Sequence, residues 1–293
     1  MKAGVCTYCF NQMFLDGVLT MMDAITFVGT ETEADCFEPL TRYWNPDRDE
    51  DDQAREARSR LDELGLDVSC YTLDSDFAIY DAAKHQACID LCVRRLDTAL
   101  ILKTDTIRLD PRTSLPGPAG EANPDEILER IAEGMTKVAD AAAEKGIKVG
   151  VENHGRLVGR TAQTQKMVEL VNRSNFGVNI DFTNFRHVYG EDHIAATRLL
   201  ASHVVHAHAK DFTISKTPQA GGEWRQIPSG QYIKRAIGGE GDMQWPELFA
   251  ILKNAGYTGT ISLEVSDPAD IKGSVTRGVA NLKRVIAEVE AQA

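Results

Sequence analysis

The sequence has no long hydrophobic run. No stretch of its 293 residues approaches the roughly 20 consecutive apolar positions that span a bilayer, and the opening MKAGVCTYCFNQM has no extended apolar core of the secretory kind. A membrane protein is therefore not expected, and the cytoplasm is the expected location. Basic residues are also in short supply, with 32 Lys and Arg against 44 Asp and Glu, a formal net charge of −12. Nucleic-acid binding draws on clustered Lys and Arg that displace counterions from phosphates, and no such cluster is present, so a nucleic-acid partner is excluded. Cysteine stops early. All six lie between Cys6 and Cys92, which is not the distribution of a disulfide framework, and reduced thiols are expected. Cys6 and Cys9 form a CxxC in a strand-like run, where positions three apart face opposite sides and do not readily share a metal. A glycine-rich phosphate turn is missing after the first strand-like segment, which continues Tyr8-Cys9-Phe10-Asn11-Gln12. With no linker rich in Pro, Gly or Ser either, residues 1–293 are expected to form a single domain.

What the sequence does contain is a regular alternation. Strand-like runs occur at Gly4 to Tyr8, Ala34 to Glu38, Asp67 to Thr72, Thr106 to Asp110, Lys148 to Glu152, Gly177 to Asp181, Val204 to His208 and Gly259 to Val265. Between them lie segments of 3.6-residue apolar period, including Ala82 to Leu102, Glu126 to Lys145, Thr164 to Val171 and Pro246 to Asn254. Asn123-Pro124 reads as a helix cap and first turn, Lys145-Gly146 as a helix stop, and Arg112 to Ala122 as a loop. Eight strand-helix units averaging about 37 residues predict a single (β/α)8 TIM barrel rather than a doubly wound open sheet.

In such a barrel, chemistry collects where the strands end. Four consecutive strand-like runs end in Glu152, Asp181, His208 and Glu264. One acid at a strand end is readily explained as a helix cap or half of an ion pair. Three crowded acids repel one another, and a divalent cation removes that cost. Three carboxylates and an imidazole form a hard, oxygen-rich set suited to one Mn2+, Mg2+ or Co2+ ion, with Zn2+ as a further candidate.

The residues at these ends resemble the xylose isomerase-like TIM barrels, a superfamily of sugar isomerases and epimerases, inosose dehydratase, hydroxypyruvate isomerase and endonuclease IV. The similar elements are Glu152-Asn153-His154-Gly155, the D-x-x-N from Asp181 to Asn184, the HAHAKD ending at Asp211 and the SLE ending at Glu264. The run Gly238-Gly239-Glu240-Gly241-Asp242 before Trp245-Pro246-Glu247-Leu248, with Ala255-Gly256-Tyr257, extends the likeness, which covers essentially the whole chain. It implies that Glu152, Asp181, His208 and Glu264 hold one divalent ion. It also implies that Glu152 and Glu264 exchange protons on the two faces of an ene-diolate, in a cytoplasmic enzyme of carbohydrate metabolism that forms dimers or tetramers. The expected substrate is a small sugar-like carbonyl compound. An alternative is a lyase that expels a β-oxygen from a keto-sugar or keto-inositol after the same first step, and a third reading is a non-catalytic carbohydrate-binding barrel. Endonuclease chemistry does not fit the acidic charge or the few histidines.

The chain departs from the ketose epimerase pattern at Asn184, where those enzymes carry His, and at Ile214, where they carry a substrate-binding Arg. His154, Asn184, Lys210, Glu38, Trp224 and Arg225 are candidate substrate contacts, with Trp44 as a further loop aromatic and His206 as a group that orients a ligand from behind. Each has a plain structural alternative: a loop histidine bonded to backbone, a Lys210–Asp211 ion pair, a cap at Glu38, or a tryptophan that only anchors its loop. The interval from Ala209 to Gln244, about 36 residues without clear periodicity, is expected to form a lid carrying Lys210, Lys216, Arg225, Lys234 and Arg235.

Overall fold

A computed structural model describes residues 1–111, 124–155, 157–264 and 269–292. The expected cap at Asn123 and the loop from Arg112 to Ala122 lie outside those residues, as does Val265 at the end of the last strand-like run. The strands are β1 (Lys2–Cys6), β2 (Cys36–Glu38), β3 (Asp67–Val68), β4 (Tyr71–Leu73), β5 (Thr106–Leu109), β6 (Lys148–Glu152), β7 (Phe176–Asp181), β8 (Val204–Ala209), β9 (Phe212–Ser215), β10 (Arg225–Gln226), β11 (Tyr232–Arg235) and β12 (Thr260–Leu263). Nine of them form one parallel sheet in the order β3-β2-β1-β12-β8-β7-β6-β5-β4. Because β3 and β4 are two pieces of a single stave, the sheet closes on itself. The seam is bridged by Ser69 N–H to Phe37 O and Thr72 N–H to Pro39 O, both near 3 Å. The architecture is the predicted eight-stave TIM barrel, and the parallel bridge between Leu40, just after β2, and Thr72 of β4 rules out an open sheet.

Around the barrel run α1 (Asn11–Leu15), α2 (Met21–Glu31), α3 (Glu50–Leu64), α4 (Ala82–Ile101), α5 (Pro124–Glu144), α6 (Thr161–Val171), α7 (Phe182–Tyr189), α8 (His193–Leu200), α9 (Trp245–Asn254) and α10 (Ile271–Ala291). Local chemistry sets their ends. Thr20 and Asp23 form a reciprocal capping box on α2, and Asp49 caps α3, whose first turn carries Glu50, Asp51 and Asp52. Gly65 ends α3 at φ +70°, where any residue with a Cβ is strained. None of the helices among the described residues is long and apolar enough to cross a membrane.

Two boundaries differ from the sequence pattern. The first stave ends at Cys6, because Thr7–Phe10 wind into a tight helical turn that carries Cys9 away from the strand. None of the six cysteines is in a disulfide, and Cys9 Sγ lies 3.2 Å from Leu263 O. The interval after β8 is also more ordered than its lack of periodicity suggests. It folds into a three-stranded antiparallel sheet, β10-β11-β9, of strands two to four residues long, too short for an alternating pattern to register.

Candidate metal centre

The period of two along each strand turns alternate side chains into the barrel, so His206 and His208, Ser262 and Glu264, and Asn179 and Asp181 share the inner face. At its upper end Glu152, Asp181, His208 and Glu264 converge, with one ligand-type atom from each lying within 4.8 Å of the others. All four are buried, none more than 7% exposed.

Three of the four are held by a group that fixes which atom faces the cluster. His208 Nε2 lies 2.9 Å from Glu38 Oε1, which leaves Nδ1 facing Glu264 Oε2 at 2.9 Å and Glu152 Oε1 at 3.5 Å. Glu152 Oε2 is bound by the Arg108 guanidinium, leaving Oε1. Asp181 does two jobs. Its Oδ1 caps α7 by accepting from Thr183 N–H at 2.9 Å and Asn184 N–H at 3.3 Å, and its Oδ2 faces the cluster. Asn153 ties the ends of β6 and β7 together, accepting from Asp181 N–H at 2.7 Å and donating to Asp181 O at 2.9 Å.

This donor set suits a divalent cation. Glu152 Oε1, Asp181 Oδ2 and Glu264 Oε2 are buried without a well-directed hydrogen bond, a costly state that a cation relieves. The demand for positive charge is already visible, since Lys210 Nζ lies 2.6 Å from Asp181 Oδ2 and 2.8 Å from Glu264 Oε2. Burial alone would raise the Glu264 carboxyl pKa, but Lys210 and His208 hold it well below the usual carboxylate range. Asp181 is likewise lowered: burial, the largest influence, would raise it, and Lys210 together with the Thr183 hydroxyl brings it down. Burial would lower His208, and the Glu38 and Glu264 carboxylates instead push it up to about 9.

Among the other expected residues, Lys210 pairs with Asp181 and Glu264, and not with Asp211. Asp211 organises the glycine run: its carboxylate accepts from the N–H groups of Gly239, Gly241 and Met243 at 2.9 to 3.1 Å. A Cβ at Gly241 would sit 2.2 Å from Asp211 Oδ1, which explains that glycine. Glu38 is not at the pocket wall. It is fully buried beneath His206 and His208, accepts from Thr72 Oγ1 at 2.8 Å, and acts on the site through the two imidazoles. His206 bonds Glu38 Oε2 at 2.8 Å. Trp44 is a core residue whose indole donates to the Tyr71 hydroxyl at 2.9 Å.

His154 is about one third exposed, its Nδ1 3.4 Å from Asp110 Oδ1. It opens onto two cavities, of about 550 Å3 and about 1490 Å3, that meet at Tyr8, His154, Lys210 and Glu264. Asn184, Trp224 and Arg225 line the larger one. Arg108 lines the smaller and is the residue that strand-end reading passed over. It sits two positions before Asp110 on the inner face, a spacing that could have marked it, and is 4% exposed with Nη2 3.5 Å from Asp110 Oδ2.

Known proteins carry the same architecture. An inosose dehydratase of Clostridium perfringens is 27% identical over 151 residues, 50% of this chain and 50% of that one. The chain thus spans about half the length of the curated relatives it matches. An IOLI protein with a bound zinc atom superposes with a TM-score of 0.74 at 18% identity, covering 99% of this chain and 98% of that one. A D-psicose 3-epimerase determined with D-fructose gives 0.74 at 18%, covering 98% and 99%. At these identities the superpositions show the fold. The model of the xylose isomerase-like TIM barrel family matches residues 30–285, most of the length, and the chain belongs to that family.

Proposed function

We propose that the protein is a divalent-metal-dependent isomerase or epimerase of a small polyhydroxy carbonyl compound. The observation that carries this reading is the convergence of Glu152, Asp181, His208 Nδ1 and Glu264 at the junction of two cavities. These four residues would hold Mn2+, Mg2+ or Co2+, with Zn2+ as a further candidate. The bound ion would supply a Lewis acid that polarises a carbonyl and lowers the cost of the negative charge formed when the neighbouring proton leaves. The proton transfers belong to the chain. Glu264, kept ionised by Lys210 and His208, takes a proton beside the carbonyl, and Glu152 returns one from the other side. Lys210, within reach of both cavities, donates to a substrate oxygen. Inosose dehydratase among the relatives and an epimerase among the similar structures are consistent with chemistry that begins at such a carbon.

A second reading is the lyase, which begins with the same proton removal at Glu264 and then expels a β-oxygen; an inosose dehydratase among the relatives is the observation on its side. The test is NMR in D2O of metal-loaded protein with ketoses, keto-inositols and keto-glycosides, against a chelated control. Deuterium beside the carbonyl with a new stereoisomer or aldose supports the isomerase, and a metal-dependent unsaturated product supports the lyase. Full activity after chelation sinks both.

A further inference from the structure

We infer that the substrate has two parts, a hydroxyl-rich ring held in the smaller cavity and a flat group bearing hydrogen-bond acceptors held in the larger. This rests on the reading of proton abstraction at Glu264 and adds to it the shape and chemistry of what is bound.

Size gives the first argument. The smaller cavity, at about 550 Å3, already has room for a small sugar-like ring, since ligand pockets run from roughly 300 to 1,000 Å3. The larger cavity, at about 1490 Å3, exceeds that range by itself. Both touch Glu264 and Lys210, so the reacting carbon belongs at their junction, and a ring placed there leaves the larger space to a second group.

The linings differ in sign. Apart from the shared residues, the smaller cavity presents Asp74, Asp76, Asp110 and Glu152 against Arg42 and Arg108. Carboxylates accept hydrogen bonds, and adjacent hydroxyls are what they accept from. The larger cavity presents Glu223 against Arg225, Lys234 and Arg235, so it donates where the smaller one accepts.

Unmet donors give the third argument. Residues lining the larger cavity carry the side-chain nitrogens Asn184 Nδ2, His187 Nδ1 and Trp224 Nε1, all buried and, among the described residues, without a hydrogen-bond partner. Asn184 Nδ2 and Trp224 Nε1 can only donate. Buried polar atoms are ordinarily satisfied, and acceptors on a bound group would satisfy these. The surrounding surface is aromatic: the Trp224 ring lies under the Lys234 ammonium at 5.5 Å, and Phe212 packs on the His187 ring at 5.6 Å. A planar group with oxygen acceptors fits both the rings and the donors.

The test compares a keto-glucose as its methyl glycoside with the same sugar as its 4-nitrophenyl glycoside, reading deuterium exchange beside the carbonyl in metal-loaded protein. Proton removal is counted as deuterium exchange plus aglycone released, so flux that the better leaving group diverts into elimination is included. The aryl compound is expected to exceed the methyl compound by at least about tenfold in kcat/KM, equivalent to about 1.4 kcal/mol. Trp224→Ala should cut the aryl-to-methyl ratio at least about fivefold and Lys234→Gln by a smaller factor. Calorimetry with the unreactive 4-nitrophenyl and methyl glucosides should show the same preference with and without metal. Equal exchange rates and equal binding of the aryl and methyl compounds would overturn the two-part substrate and leave the proposed reaction standing. Absence of exchange with either compound, together with Trp224-dependent aryl binding, would sink the proposed reaction and uphold the cavity assignment. Absence of both would overturn both.

Discussion

The half of the barrel formed by β6, β7, β8 and β12 supplies Glu152, Asp181, His208 and Glu264, whereas the half formed by β1 to β5 supplies Glu38 and Arg108, which grip two of those residues from behind. The first group would offer atoms to a cation, and the second fixes which atoms face the cluster. Glu38 takes His208 Nε2 and so commits Nδ1 to the cluster, and Arg108 takes Glu152 Oε2 and commits Oε1. Side chains behind a metal set ligand orientation and basicity, so changes in the two halves should fail differently.

The largest effect is expected in the ligand half. Glu264→Gln keeps the shape and removes the base, so turnover should fall by at least about 10^3-fold while the protein still folds, as judged by its melting temperature. Next comes Arg108→Met, which takes the guanidinium away from the buried Glu152 carboxylate and should cost about 3 kcal/mol of stability in metal-free protein, with part of it restored by added Mn2+. Urea unfolding with and without metal measures both. An Arg108→Met protein as stable as wild type would remove the distinction between holding and ligating. Glu38→Gln should weaken metal affinity by about 10- to 100-fold while turnover at saturating metal falls much less. If saturating metal left Glu38→Gln as inactive as Glu264→Gln, the two halves would not divide as described.

The sequence discloses these halves unequally. The barrel was legible because its staves and helices keep distinct periods, and the four-residue cluster because Glu152, Asp181, His208 and Glu264 each occur at the end of a strand-like run. Asp211 looked like a partner for Lys210 because the two are adjacent, but it turns to the backbone of a loop nearly 30 residues on. Glu38 was visible as a strand-end acid, but its depth was not: barrel tilt puts it under His206 and His208, contacts separated by about 170 residues. Arg108 lies inside β5, and nothing local shows that an arginine there is buried. The small sheet after β8 escaped because its strands are short and partly exposed.

The smallest effect separates histidines shaped by charge from those shaped by burial. His208, among carboxylates, is pushed up, whereas burial takes His187, on α7 beside the larger cavity, down to about 4. Of the groups around His187, Asp181 raises its pKa while Lys210, Arg225 and His154 lower it. Because the unfolded imidazole titrates near 6.5, the unfolded chain binds more protons than the folded one between pH 6.5 and 4. The His187 contribution is therefore complete above pH 6.5 and is lost as pH falls through that window. Allowing for partial solvent contact, this amounts to roughly 1 kcal/mol between pH 6.5 and 5. His187→Phe keeps an aromatic ring against Phe212 and removes the titration, so its unfolding free energy should fall less steeply with acid than that of wild type, by up to one proton. Parallel slopes for the two proteins would mean that the His187 ring is solvated well enough to titrate normally, and the contrast between the two kinds of histidine would then rest on His208 alone.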